Sequence, residues 1–356
     1  VNRPGVRAGA EAGERPLTVL HVAYPLAPVS TDAAGGAEQV LAMLDRGLAR
    51  AGHRSIVIAC EGSRCAGELV ATPLPRGPLD ERARASAQAR HRAAIARVLD
   101  RTSVDIVHLH GLDFTSYLPR PGPAALVTLH LPPAWYPAEA FALHRPRTHL
   151  CCVSASQARG CPTTPDLAGV VENGVDLDAL WPGGPRQAYA LALGRICPEK
   201  GFHRALAACR RARAPMLLAG QVFPYPDHER YFHDQIAPLL DAERRFIGPV
   251  ALARKRQLLA AARCLLVPSE APETSSLVAM EALACGTPVI AFGAGALVEI
   301  VEHGRTGYVV ADEAEMAAAI VRAPGIDPAA CRRAAEQRFS AEVMTARYLH
   351  LYRRLA

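Results

Sequence analysis

A chain of 356 residues, 50% hydrophobic and 21% charged, is long for one domain and has material for two cores. No apolar run approaches the ~20 residues a membrane-spanning helix needs. The formal charge of +6 is compatible with anionic donors, lipids or polymers and does not decide between them; a nucleic-acid partner is not expected. The first sixteen residues, VNRPGVRAGAEAGERP, lack the apolar core of a secretory signal and read as a disordered leader. The ten cysteines show no paired zinc-type spacing, so no metal site is expected. They read as reduced thiols of a cytoplasmic protein, with Cys60, Cys264 and Cys285 filling cores. Lys200 and Lys255 are the only lysines, and the remaining basic residues are arginine.

In chain order, Leu17 to Ala23 is a first strand, followed by a polar loop ending in Ala33-Ala34-Gly35-Gly36-Ala37-Glu38. A helix then sets Val40, Leu41, Leu44 and Leu48 on one stripe. Gly52-His53 closes it, and residues 55–59 form the next strand. This is a βαβ unit in which Gly35 and Gly36, at the helix entrance, allow close approach of backbone to a ligand; a tight turn explains them equally. Residues 73–79 are a linker. Asp80 to Arg101 is a helix bearing Arg82, Arg84, Arg90, Arg92, Arg97 and Arg101, compatible with a solvated face or with an anionic membrane or acceptor. Short apolar strands follow at 105–110, 124–130 and 149–153, as expected of a parallel sheet. They carry His108, His110 and His130 at or near their C-terminal ends, where open α/β sheets place ligands. Trp181 to Pro185 is a turn-rich linker.

A second set of strands starts at residues 189–193. The loop after it, Gly194 to Gly201, holds Arg195 and Lys200, a guanidinium and an ammonium suited to clamping a diphosphate. Strands at 215–220, 244–248 and 264–267 continue the sheet. After Pro268 and Ser269 a polar loop leads to a helix from Ser276 to Leu283, ended by Gly286. Ser275 or Ser276 is positioned to cap it. Its first N–H groups, at Ser276, Leu277 and Val278, form an anion site. Glu273 and Glu281 flank that site and can accept hydrogen bonds from sugar hydroxyls. An anionic ligand hydroxylated on both sides, a nucleotide-sugar, suits the arrangement; solvated surface glutamates are the plain alternative. The last helix, from Ser340 to Leu355, is amphipathic through Val343, Met344, Tyr348, Leu351 and Leu355.

Several runs occur together in one frame. They are GGAEQVLAMLDRGLARAGHRSIVIA, His130 with Leu131-Pro132-Pro133, Glu172-Asn173-Gly174-Val175-Asp176, GRICPEKG, and Glu273-x7-Glu281 followed by Ala-Leu-Ala-Cys-Gly-Thr-Pro-Val-Ile. The frame resembles the retaining family 4 glycosyltransferases with the GT-B fold, from about Leu17 onward. The resemblance implies an α/β fold of two Rossmann-like parallel-sheet domains facing across a cleft. It implies an acceptor-side domain at 17–179, a nucleotide-sugar-binding domain at 180–338, and a helix at 339–356 crossing back to the first.

By the same resemblance, Arg195 and Lys200 hold the donor diphosphate with the N–H groups of Ser276, Leu277 and Val278. Glu281 binds the ribose, Glu273 orients the donor sugar, and His130 lies against that sugar. Gly248 and Val250 lie near the base, and Gly35 and Gly36 near phosphate or acceptor. Tyr225, Pro226 and Asp227 lie in a loop expected to cover the site. The implied activity is metal-independent, retaining glycosyl transfer from a nucleotide-diphosphate sugar, UDP-sugar favoured, without a cofactor. The acceptor is a glycan, glycolipid or small molecule, and the enzyme is cytoplasmic, compatible with contact at the inner face of a membrane. A non-catalytic nucleotide-sugar binder and a nucleotide-sugar epimerase on the same fold stay open. A Rossmann oxidoreductase is disfavoured, because no G-x-G-x-x-G follows the first strand. The chain departs from the family at Thr274-Ser275-Ser276, where Gly-Phe-Gly is usual, and Glu270 adds a carboxylate; both bear on which sugar is accepted.

Overall fold

The computed structural model describes residues 15–164, 166–181 and 183–356. All but two residues of the expected leader, and Pro182 of the linker, lie outside the described residues. Two parallel sheets carry the fold. The first has seven strands in the order β3-β2-β1-β4-β5-β6-β7. These are β1 (Thr18–Val22), β2 (Arg54–Cys60), β3 (Glu68–Thr72), β4 (Ile106–Leu109), β5 (Ala124–Leu129), β6 (Thr148–Cys152) and β7 (Leu167–Val170). The second has six in the order β10-β9-β8-β11-β12-β13. These are β8 (Ala190–Leu193), β9 (Met216–Ala219), β10 (Arg244–Phe246), β11 (Cys264–Val267), β12 (Val289–Phe292) and β13 (Gly307–Val310). Both are doubly wound: the strand order reverses between β1 and β4 and again between β8 and β11, the switch points at which such sheets bind ligands.

Central strands are buried on both faces, which is why they read as unbroken apolar runs; β5, β11 and β12 are buried throughout. The sequence reading assigns no strand at β3 or β7. Both close an edge of the sheet and are largely exposed or half-buried, so neither carries the continuous apolar signal of a central strand. In the second sheet the two-residue period divides the core. Leu191, Leu193, Leu265, Val267, Val289 and Ala291 face one cluster. Ala190, Ala192, Cys264, Leu266, Ile290 and Phe292 face the other.

The described residues divide into two compact units, one within 15–127, 143–149 and 351–356, the other within 128–142 and 150–350. The first unit holds α1 (Gly36–Arg50), which buries Val40, Leu41, Leu44 and Leu48, and α2 (Glu81–Arg101). Asp80 caps α2 by accepting from Ala83 N at 2.8 Å, and the helix buries only Ala87, His91, Ala94 and Ile95. Five of its six expected arginines are exposed and Arg90 is half-buried, the polar-faced helix that the charge pattern predicts.

The second unit holds α3 (Ala155–Gly160), α4 (Phe202–Arg211), α5 (Pro226–Tyr231), α6 (Leu252–Ala261), α7 (Leu277–Ala284), α8 (Leu297–Ile300), α9 (Glu313–Arg322) and α10 (Pro328–Arg338). Both units share α11 (Ala341–Leu355). Ser340 Oγ accepts from Val343 N at 3.0 Å to start α11, and Met344, Tyr348, Leu351 and Tyr352 are buried along it. No helix among the described residues is long and apolar enough to cross a membrane.

Candidate functional site

At the C-terminal edge of the second sheet the backbones of three strands close up on glycine. Gly194, Gly220 and Gly248 follow β8, β9 and β10, all at positive φ. Gly194 N donates to Ala219 O at 3.1 Å and Gly220 N to Gly248 O at 2.9 Å. A Cβ on Gly220 would overlap Gly194 O, so only glycine fits at this position. Beside it, across the switch point, stand the loops after β8 and β11. Gly201, also at positive φ, lets the first loop touch the second: a Cβ there would overlap Pro268 O. Glu270 N donates to Glu199 O at 2.9 Å.

These two loops bring Lys200 and Glu273 together, Nζ to Oε1 at 2.6 Å, and Ser269 Oγ donates to the same oxygen. Arg195, on the first loop, is exposed. Behind them begins α7. Its first intrahelical bond is Met280 N to Ser276 O, so the N–H groups of Leu277 and Val278 have no partner within the helix. Ser276 is the N-cap by position, but its side chain makes no capping bond, and Ser275 Oγ is buried without a partner among the described residues. The expected serine cap is therefore absent, and the helix start keeps its positive end unneutralised.

The far end of α7 closes by a Schellman motif at Gly286 (φ +73°), with Gly286 N donating to Leu283 O and Thr287 N to Ala282 O. Arg332 donates to Ala284 O and Arg186 to Gly286 O. Cations at the carboxyl end complete the helix polarity.

Glu281 is buried on α7 and pairs with Lys255 of α6, Nζ to Oε1 at 2.5 Å. Each lysine of the chain thus holds one glutamate of the Glu-x7-Glu pair. Leu277, Val278, Ile247 and Val250 pack against one hydrophobic cluster, which joins the helix start to the segment after β10. Tyr225 and Asp227 line a cavity of about 330 Å³ with Pro198 and Glu199 of the arginine–lysine loop.

His130 directly follows β5 and is held from three sides. Its N–H donates to the Tyr136 hydroxyl at 3.0 Å, and its carbonyl accepts from Thr274 Oγ1 at 3.1 Å. Gln157 of α3 brackets it, donating to Leu129 O at 2.7 Å and Leu131 O at 2.9 Å. Burial lowers the His130 pKa to about 4, leaving a neutral imidazole at neutral pH.

In the first unit, Gly35 is the N-cap of α1 and Gly36 its first residue. The Glu38 carboxylate folds back over Gly35 where a Cβ would stand, and burial raises its pKa. His108 and His110 belong to a buried cluster with His21 rather than to an open edge. Each offers a ring nitrogen within 4.8 Å of the others. His21 Nδ1 lies 3.3 Å from His110 Nε2, and His108 Nδ1 lies 2.6 Å from the Tyr352 hydroxyl.

Arg195, Lys200, Glu273, Ser276, Leu277, Val278, Glu281, Gly248, Val250 and His130 all fall within the second unit, and Gly35 and Gly36 within the first. Sequence reasoning gave no role to Lys255, Gln157, Tyr136, Arg186 or Arg332. Lys255 had a signal, a lysine in a chain otherwise using arginine; the others act through folded contacts that no spacing reveals.

Residues 34–179 match the family model for Glycosyltransferase Family 4, and residues 187–323 match that for Glycosyl transferases group 1. The D-inositol 3-phosphate glycosyltransferase of Mycobacterium avium is 33% identical over 214 residues, 53% of this chain and 50% of that protein. The chain thus spans about half the length of the curated relatives it matches. Among solved structures, AviGT4, a glycosyltransferase involved in avilamycin A biosynthesis, is 25% identical with a TM-score of 0.71, covering 96% of this chain and 98% of its own. HepE of Anabaena, solved with UDP and glucose, is 19% identical with a TM-score of 0.70, covering 94% and 98%. With one family model on each half of the chain and a doubly wound sheet in each, the protein belongs to the family 4 (group 1) glycosyltransferases of GT-B fold.

Proposed function

We propose that the protein transfers a sugar from a nucleotide-diphosphate sugar to an acceptor hydroxyl, with retention at the anomeric carbon and without a metal. The observation that carries this reading is the meeting of Lys200 and Glu273 across the switch point, with Glu273 on the loop that leads into α7. A departing nucleoside diphosphate gathers charge on its phosphates, and Arg195, Lys200 and the N–H groups of Ser276, Leu277 and Val278 supply fixed positive charge there. Glu281, held by Lys255, accepts from the ribose hydroxyls, with the base near Gly248 and Val250. Glu273 orients the donor sugar, and the neutral His130 imidazole faces its hydroxyls. Gly35 and Gly36 let the start of α1 approach phosphate or acceptor.

A UDP-sugar is the favoured donor, in keeping with the UDP and UDP-glucose of HepE. The acceptor is a glycan, glycolipid or small molecule, and the exposed arginines of α2 favour an anionic one or the surface of a membrane's inner leaflet. We further propose a cytoplasmic protein, with an acceptor-side domain at 17–179, a donor domain at 180–338 and α11 returning to the first.

The test is thermal stabilisation by UDP, GDP and ADP and their sugar conjugates with a chelator present. A selective shift from one diphosphate, lost in Lys200→Ala, is expected. Nucleotide release from the conjugate on adding an acceptor then separates a transferase from a binder, and an unchanged sugar configuration in unreacted donor separates it from an epimerase. Glu281→Ala should chiefly weaken donor binding; unchanged donor affinity in that variant counts against the assignment.

A further inference from the structure

We infer that Thr274, standing where the family usually has glycine, is a positioning residue that sets the Glu273 loop against His130; this rests on the sugar-facing roles proposed for those two residues. Glu273 is fixed within its own loop. Its carboxylate is held by Lys200 and Ser269, its backbone bridges Gly295, and its carbonyl accepts from Ala296 N at 2.7 Å. Gly295, at φ +63°, packs so closely that a Cβ would overlap Glu273 O. His130 is equally fixed in its own segment by Tyr136 and Gln157. Two rigid pieces therefore carry the two groups expected to touch one sugar.

Thr274 Oγ1, one residue from Glu273, donates to His130 O at 3.1 Å and joins the pieces close to the reacting atoms. A second clamp lies further away. Glu299 of α8 accepts from Ala155 N at 3.0 Å and Ser156 N at 2.5 Å at the start of α3, the helix whose Gln157 brackets His130. The Glu299 clamp joins α3 to α8, whereas Thr274 joins the Glu273 loop itself to the His130 segment. Glycine at position 274 has no side-chain donor, so this lock comes with the Thr-Ser-Ser departure. Because the hydroxyl is spent on the His130 carbonyl, Thr274 acts through geometry, and its loss should move turnover more than donor affinity.

The test uses Thr274→Val, which keeps the shape and removes the donor, and Thr274→Ser, which keeps the donor. Donor turnover is read as nucleotide release, and backbone amide exchange is followed in residues 128–136 without ligand. Thr274→Val should lower kcat about tenfold, the scale of one lost hydrogen bond, with donor KM within about twofold. It should also speed exchange at the amides of His130 and Leu131, while Thr274→Ser restores both. Wild-type exchange and kcat in the valine variant overturn the inference, as does a serine variant impaired to the same degree. If the wild-type protein turns over no nucleotide-sugar, the proposed function fails, and the exchange result alone still decides whether Thr274 locks the His130 segment.

Discussion

Lys255 keeps Glu281 from being a buried charge alone. Their side chains are 19% and 9% exposed, so Lys255→Met should destabilise the protein by about 2 kcal/mol, below the range for fully buried pairs because solvent still reaches the ammonium. The same change should raise the dissociation constant for the nucleoside diphosphate about tenfold by freeing the carboxylate to turn. Chemical denaturation and calorimetric titration read the two effects, and Glu281→Gln combined with Lys255→Met should recover stability but not affinity. His130 gives a second expectation. Its pKa is lowered to about 4 by burial, so the pH profile of donor turnover should show no inflection near 6.5; an inflection there that vanishes in His130→Gln would mean the imidazole titrates in the open.

The floor of glycines at the ends of β8, β9 and β10 makes a single methyl group costly. Gly220→Ala would drive a Cβ into Gly194 O at a residue already at φ +155°. We expect a loss of about 3 kcal/mol or more, read as a lowered denaturation midpoint. Gly184, with nothing within 4 Å of a built Cβ, should accept alanine with little change. The arginine–lysine loop with its bounding Gly194 and Gly201 and the α7 start were legible in the sequence because each is a local signal, whereas Gly220 read only as the end of a strand and its close approach to Gly194 is a folded contact. Punctuation after an apolar run, charge in a loop, and helical spacing all survive without tertiary context. The edge strands β3 and β7 were not legible, since their half-exposed residues lack a clear period. Nor was the arrangement of His21, His108 and His110. His108 sits inside β4 with both neighbours in the sheet, and only strand order puts His21 opposite it. The same holds for Gln157, whose side chain reaches back to the residues flanking His130.

On the scale of the whole molecule, two fully buried histidines make stability depend on pH. Burial lowers the pKa of both His21 and His91 to about 4, against about 6.5 in the unfolded chain. Above pH 6.5 neither state binds the extra proton and no penalty arises. Between about 6.5 and 4 the unfolded chain takes up protons that the native one refuses, so stability falls as the pH falls, at most about 2.7 kcal/mol per pH unit for the pair. His130, lowered to about 4 in the same way, adds a third equal increment, so denaturation at stepped pH should show the combined slope and His91→Gln should remove about a third of it; a flat curve down to pH 5 would mean the rings are charged in the native state. The scarcity of lysine has a use of its own. Reductive methylation with labelled formaldehyde would place carbon-13 methyl groups on only two side chains among these 356 residues, Lys200 and Lys255, besides the amino terminus. Both lie on the glutamates of the candidate site, so two lysine resonances, set apart from that of the amino terminus, would follow donor occupancy in solution, one beside Glu273 and one beside Glu281, without assigning the rest of the protein.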